Sequence, residues 1–521
     1  MKSLPRLRAC LLGCIALSLM AAAQASGPEL TDVVTRAHTI QVQGRTLRYE
    51  SEAGRVAIAD VETGLAHGYM YYTAYRVPSP AKRRPLTFVW NGGPGADSSL
   101  LHFSAAGPRR VEDGRLRDNE QTWLTDTDLV FVDPIGTGFS RPARPEYADE
   151  FYSTRGDVAS VTEFVRAWRL LHATQETGLY LAGESWGARR AASVAYALLQ
   201  RQVRVDGIFL ISGGWGLSHE YLDASLRTAL PAVDMATAAL HYGKGTAAAG
   251  ASVEQVRREV TQWVHRTYAP ALLRRDALSD DERRAIIEQL SAYIGVAPEA
   301  VDSRTLAVSP GEFRRRLLKD RGLTPYIFDL RRTAAPGQQN DAAMLDYLRH
   351  DIGYRTSLPY IGLEQLTQGF APNGTYPTTV GERWDYATEK LSSEQIKAAM
   401  EAAQANGDGP PRLGAPLPAT EEALALNPHL RVLIAAGLYD SFLPCAVGEE
   451  TQRRLPASIA GSIVFRCYAG GHAMYLDAPV RKQVADDVRR MQRRRAALTS
   501  ATTTLRLEVG VTRVPGWSQK R

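Results

Sequence analysis

Six short apolar runs punctuate the chain: Leu86 to Trp90, Leu129 to Val132, Leu179 to Leu181, Ile208 to Ile211, Val432 to Ala435 and Ile463 to Tyr468. Most stop at Gly, Asp or Ser. Unbroken apolar runs bounded by turn residues predict strands buried on both faces, as in a mostly parallel sheet covered by helices. After Ser185, the residues Ala188, Ala191, Ala192, Ala195, Leu198 and Leu199 recur with a period of about 3.6, which predicts a helix with a slim face for close packing on the sheet. Upstream, alternation in Ile40-Gln41-Val42 and in Tyr69-Met70-Tyr71-Tyr72-Thr73 predicts an antiparallel entry to the same sheet.

Between Ile211 and Val432 the strand signal is silent for about two hundred residues, too long for a structureless loop in a compact domain. Three capping boxes lie there, Ser252 with Gln255, Ser279 with Glu282 and Ser309 with Glu312, each predicting a helix start. The first helix continues with Val253, Val256, Val260 and Trp263 on one face. The expected division is therefore a core in two parts, 26–214 and 421–499, around a mainly helical cap at 215–420. The cap returns through the Gly- and Pro-rich stretch Gly407 to Pro418. Val480 to Thr499 reads as a basic amphipathic helix with Arg489, Arg490, Arg493, Arg494 and Arg495, more simply a solvated face than a binding patch. A tail at 500–521 carries no recognisable chemistry.

At the other end, Lys2, Arg6 and Arg8 precede the apolar stretch Leu11 to Ala23 and the small-x-small triplet Ala23-Gln24-Ala25, the form of a secretory signal over residues 1–25. The apolar stretch falls short of the roughly 20 residues of a spanning helix, so export to the periplasm or beyond is expected, with no integral membrane segment in the mature chain. With 521 residues, 44% of them hydrophobic, the chain can bury a large core. The formal net charge of +6 falls to +3 without residues 1–25, too mild to predict a nucleic-acid partner. Only Cys445 and Cys467 remain after cleavage and could pair in an oxidising compartment. No Cys/His cluster has metal-ligand spacing, and no metal or cofactor is expected.

The candidate chemistry centres on Gly183-Glu184-Ser185-Trp186-Gly187, which fits the nucleophile elbow Gly-x-Ser-x-Gly directly after an apolar run. A serine hydroxyl needs a base, and the base needs a third group to fix its tautomer. In the α/β-hydrolase arrangement the order is Ser, acid, His. The last two predicted strands run into Gly437-Leu438-Tyr439-Asp440 and Gly470-Gly471-His472, which makes Asp440 and His472 the candidate acid and base. Asp133 and Asp477 are the other acids in question. An oxyanion hole would use the amide of Trp186 and one from the glycine-rich loop Asn91-Gly92-Gly93-Pro94-Gly95. That loop and Gly136-Thr137-Gly138 could instead be read as phosphate cradles, but neither has the lysine of a P-loop or a full Gly-x-Gly-x-x-Gly.

Taken together, Trp90-Asn91-Gly92-Gly93-Pro94-Gly95 with Ser98-Ser99, Gly136-Thr137-Gly138-Phe139-Ser140, the elbow, the Gly437/Asp440/Pro444 spacing, and Gly471-His472 with Asp477 and Pro479 resemble the motif set of the serine carboxypeptidases. The resemblance spans roughly residues 86 to 480 and places a cap domain where the helical insertion is expected. It implies a triad of Ser185, Asp440 and His472, an oxyanion hole from the amides of Gly93 and Trp186, and recognition of a peptide's terminal carboxylate by Asn91 and Glu184. A protonated Glu184 can donate to a carboxylate, whereas an ionised one repels it. The chain departs from the pattern in Ala96 for a cysteine, Trp186 for a tyrosine and Ala473-Met474-Tyr475 for Met-Val-Pro. It also lacks a second glutamate before Gly107-Pro108, for which Arg109 or Arg110 could compensate as a fixed positive charge unless the two are merely a solvated pair.

The expected fold is thus α/β, an α/β-hydrolase with a mostly parallel central sheet, helices on both faces and an inserted helical cap. The expected function is that of an exported, bacterial serine carboxypeptidase acting on peptides or proteins with a free C-terminus. An esterase or acyltransferase with the same triad, or an inactive peptide-binding protein, are the competing readings.

Overall fold

The computed structural model describes residues 30–79, 84–218, 221–245, 250–335, 341–364, 380–387 and 418–508. The strands are β1 (Leu30–Val42), β2 (Arg45–Ala59), β3 (Ala66–Arg76), β4 (Leu86–Trp90), β5 (Arg109–Glu112), β6 (Arg115–Asp118), β7 (Asp128–Val132), β8 (Arg141–Pro142), β9 (Leu179–Glu184), β10 (Gly207–Ile211), β11 (Arg431–Gly437) and β12 (Ile463–Tyr468). The main sheet has the order β1-β2-β3-β7-β4-β9-β10-β11-β12, with β8 pairing β3 off this path and β5-β6 forming a separate hairpin. Strands β1, β2, β3 and β7 are joined by antiparallel pairings. From β7 across to β12 every pairing is parallel, so the C-terminal ends of β4, β9, β10, β11 and β12 share one edge.

All six apolar runs form strands, and two run further at their C-terminal ends than the sequence suggests, β9 through Glu184 and β11 through Gly437. Their side chains alternate between two cores. Leu179 and Leu181 of β9 face the core shared with the helices Thr154–Leu171 and Trp186–Gln200. Tyr180 and Ala182 face the other core, shared with Tyr475 and with Val480, Val484 and Val488 of the C-terminal helix. Burial of Ala188, Ala191, Ala192, Ala195 and Leu198 confirms the slim face of the helix after Ser185. Short side chains there let that helix lie close to the sheet.

The described part of the insertion is mainly helical, including Pro231–His241, Val253–Trp263, Asp280–Ile294 and Pro310–Leu317. The boxes at Ser252 and Ser279 are complete. The box at Ser309 is only half made: Ser309 accepts from the Glu312 amide, but the Glu312 carboxylate turns to Arg315 and Arg316, which compete for it on the same helix. Residues 1–25 and the return stretch 407–417 lie outside the described residues. The C-terminal helix spans Ala478–Glu508, beyond the expected end at Thr499, so the expected tail at 500–521 begins inside a helix. Three of its arginines are ion-paired, Arg489 and Arg493 to Asp126 and Arg490 to Asp487. Cys445 and Cys467 are bridged, joining the start of the helix Cys445–Arg454 to β12.

One buried cation holds the elbow helix in place. Arg190, 1% exposed, bonds Asp157 of the neighbouring helix at 2.6 Å and donates to the Asn91 carbonyl at 2.8 Å. Removing one partner of a buried pair leaves an uncompensated charge, so Asp157→Ala is expected to cost about 3–5 kcal/mol. Urea denaturation followed by fluorescence checks this; a loss under about 1 kcal/mol, as for an exposed pair, contradicts it.

Candidate active site

Ser185 follows β9 directly and takes φ 57° and ψ −124°, a conformation that L-residues rarely adopt. Its amide donates to the Ile211 carbonyl at 2.8 Å, and the helix Trp186–Gln200 starts at the next residue. The turn is too tight for side chains at its flanks: a Cβ on Gly183 would lie 1.8 Å from the Gly187 carbonyl oxygen. Ser185 therefore stands on the rim of a cleft of about 800 Å³ that is also lined by Asn91, Gly93, Glu184, Trp186 and His472.

Asp440 follows β11 and His472 follows β12, on the same edge as Ser185. The His472 ring bonds Asp440 Oδ2 through Nδ1 at 2.7 Å, while its Nε2 has no hydrogen-bond partner among the described residues. Its main chain is fixed too, the amide donating to the Phe328 carbonyl at 2.6 Å and the carbonyl accepting from Ser212 Oγ. Burial disfavours the imidazolium, but the bond to Asp440 and the charges of Asp440 and Glu184 outweigh it and hold the His472 pKa above its ordinary value. The other two acids are engaged elsewhere. Asp133 accepts from the Ser98 amide and hydroxyl, and burial, reinforced by the Asp97 carboxyl, pushes its pKa up to about 7. Asp477 pairs with Arg331 at 2.7 Å.

The loop after β4 presses against the elbow. A Cβ on Gly92 would lie 2.5 Å from the Trp186 nitrogen. Trp186 is the first residue of its helix, so its amide has no intrahelical acceptor, and both it and Gly93 line the cleft. Such amides can serve a developing oxyanion.

Glu184 is 4% exposed and points to the face of the sheet occupied by Tyr180 and Ala182. It accepts from Asn91 Nδ2 at 2.5 Å and from the Tyr475 hydroxyl at 3.2 Å, and Asn91 Oδ1 in turn accepts from the Leu101 amide. Burial raises the Glu184 pKa, partly offset by the charge of His472 and by the two donors. Tyr475 is fully buried and was not singled out from the sequence as a site residue. Also missed is the cap segment around Phe328, whose ring lies 5.1 Å from that of His472 and 5.3 Å from that of Phe442, itself 5.8 Å from His472. The suggested compensating arginines do not reach this site: Arg109 pairs with Asp118 and Arg110 with Glu112 in the β5-β6 hairpin, and neither lines the cleft. The hairpin's own carboxylates capture them.

Because the Tyr475 hydroxyl favours the ionised form of Glu184, Tyr475→Phe should move the Glu184 pKa further up. Difference infrared titration of the carboxyl stretch, with Glu184→Gln as reference, reads this directly. A downward shift would rule out the contact.

Residues 44–212 match the serine carboxypeptidase family. A pheromone-processing carboxypeptidase KEX1 of Ajellomyces capsulatus is 34% identical over 152 residues, 27% of this chain and 23% of the relative, and its counterpart in Aspergillus niger is 32% identical over 155 residues, 29% and 24%. The chain thus spans about a quarter of the length of the curated relatives it matches. Among solved structures, a prohormone-processing carboxypeptidase from Saccharomyces cerevisiae aligns over 84% of this chain and 90% of its own at 14% identity and a TM-score of 0.45. A naproxen esterase from Bacillus subtilis aligns over 88% and 92% at 10% identity and a TM-score of 0.30. Asn91, Gly93 and the elbow lie inside the matched stretch and Asp440 and His472 outside it; over residues 44–212 this chain is similar to the serine carboxypeptidases.

Proposed function

We propose that the chain is a serine carboxypeptidase that releases C-terminal residues from peptides through an acyl-enzyme on Ser185. The observation that carries this reading is the buried Asn91–Glu184–Tyr475 cluster beside Ser185. A general esterase has no use for a buried carboxyl there, whereas a protonated carboxyl is a donor for a substrate's terminal carboxylate. In this reading Ser185 attacks the last peptide carbonyl while Nε2 of His472 takes its proton. The amides of Gly93 and Trp186 hold the oxyanion, and Asp440 keeps the ring in its tautomer. His472 then protonates the leaving amine, and water, deprotonated by the same ring, frees the acyl group. Asn91 and Glu184 hold the carboxylate of the departing residue.

The basic and apolar start of the chain supports export to the periplasm or beyond. Among the described residues no helix is long and apolar enough to cross a membrane. The matched relatives named above are fungal and lend no support to a bacterial origin. The core at 26–214 and from 421 through the C-terminal helix, with a cap at 215–420, is the proposed domain division.

Ser185→Ala should abolish fluorophosphonate labelling of the purified protein, and stoichiometric labelling elsewhere would refute the nucleophile. A peptide with a free C-terminus should exceed its amide in kcat/KM by about a hundredfold or more, because the amide leaves the buried carboxylate site unmatched. Equal rates would favour an esterase. The pH profile carries a sign as well. His472 must be neutral, so activity falls as pH drops through its raised pKa; Glu184 must be protonated, so binding weakens as pH rises through its own raised value. Free-carboxylate peptides should show both limbs in kcat/KM, and an uncharged ester only the acid limb.

A further inference from the structure

Beside the cleft lies a recess of about 220 Å³ whose described lining includes two arginines, Arg189 and Arg227, and no carboxylate. Its remaining walls are largely apolar, among them Ala192, Trp215, Leu217 and Leu443. Arg189, Gly214 and Leu443 line both spaces, so the recess adjoins the cleft at Arg189. Arg227 is bonded to the Leu222 carbonyl. Arg189 is different: its guanidinium stacks on the Trp186 ring at 4.9 Å, and no carboxylate or hydrogen-bond acceptor reaches it among the described residues. The other cleft arginines are neutralised, Arg331 by Asp329 and Asp477 and Arg332 by Asp329. A Cβ on Gly214 would meet only the Arg189 side chain, at 3.8 Å, so the backbone leaves the space over the guanidinium open.

The position relative to Ser185 gives this cation a meaning. Glu184, Asn91 and Tyr475 form a cluster on the sheet face of Tyr180 and Ala182. Arg189 belongs to the helix Trp186–Gln200, which covers the opposite face. A peptide crossing Ser185 with its terminal carboxylate at Glu184 therefore sends its acyl part toward Arg189. Trp186, whose amide adjoins the reacting carbonyl, carries the stacked guanidinium on its own ring.

We propose that this recess binds an acidic side chain on the acyl side of the scissile bond, making Arg189 a specificity-determining residue for glutamate at the penultimate position. The inference rests on the carboxypeptidase reading. A planar guanidinium, stacked and without a counter-ion among the described residues, is prepared for a bidentate carboxylate, and the low-polarity walls strengthen that attraction. Burial pulls the Arg189 pKa below its ordinary value, in keeping with a cation that no carboxylate reaches among the described residues.

The test compares N-blocked peptides ending in Glu-Leu, Gln-Leu, Leu-Leu and Lys-Leu at a pH where glutamate is ionised. The expected wild-type preference for Glu over Gln is about tenfold or more in kcat/KM, the scale of a charge-assisted bond. Arg189→Gln should bring that ratio near one, Arg189→Lys should leave an intermediate ratio, and Arg189→Glu should favour Lys. Fluorophosphonate labelling of each variant verifies an intact elbow. Release from all peptides with no Glu preference, or a preference unchanged in Arg189→Gln, overturns the acidic subsite alone. No release from any peptide by an enzyme that still labels overturns the carboxypeptidase reading and this inference with it.

Discussion

The edge that carries Ser185, Asp440 and His472 depends on how closely bare backbone approaches the elbow. The loop after β4, the turn after β10 and the elbow itself converge, and a Cβ on Gly213 would lie 2.1 Å from the Ser185 carbonyl oxygen. Parallel strands deliver their C-terminal ends to one edge by construction, which is why a crevice forms there at all. Crowding at that edge then fixes the unusual backbone of Ser185, because the surrounding chain leaves no relaxed alternative. Arg190 adds a polar tie from the elbow helix to the Asn91 carbonyl, so the helix and the loop after β4 are set by the same contact.

Electrostatics at this edge couple the two groups that the proposed mechanism needs neutral. The imidazolium of His472 lowers the Glu184 pKa, and the carboxylate of Glu184 raises that of His472. With one proton between them, the pair can exist as an ion pair or as two neutral groups, and only the neutral form both accepts from Ser185 and donates to a carboxylate. On the proposed reading, an arriving substrate carboxylate favours the proton on Glu184 and thereby frees the ring to act as base.

The sheet was legible because its central strands are short, unbroken apolar runs ended by turn residues, and the elbow because a serine flanked by glycines after such a run has few other uses. The β5-β6 hairpin left no comparable trace: its eight residues, half-buried or exposed, are mostly charged. Tyr475 escaped because its partner Glu184 lies 291 residues away and a loop tyrosine has no local signature. Arg189 and Arg190 are adjacent and look alike in sequence. The helix turns one into the interior against Asp157 and the other toward the cleft, a difference that the positions of distant residues decide.

His472 is carried by β12, which among the described residues closes the sheet on one side and has a strand neighbour only in β11. An outermost strand is the first to peel away in a thermal fluctuation, and here peeling would take the imidazole with it. The Cys445–Cys467 bridge fastens that strand to the helix just after Asp440. Asp440 and His472 are thereby riveted into one mechanical unit, and the border of the sheet cannot drift open without carrying both.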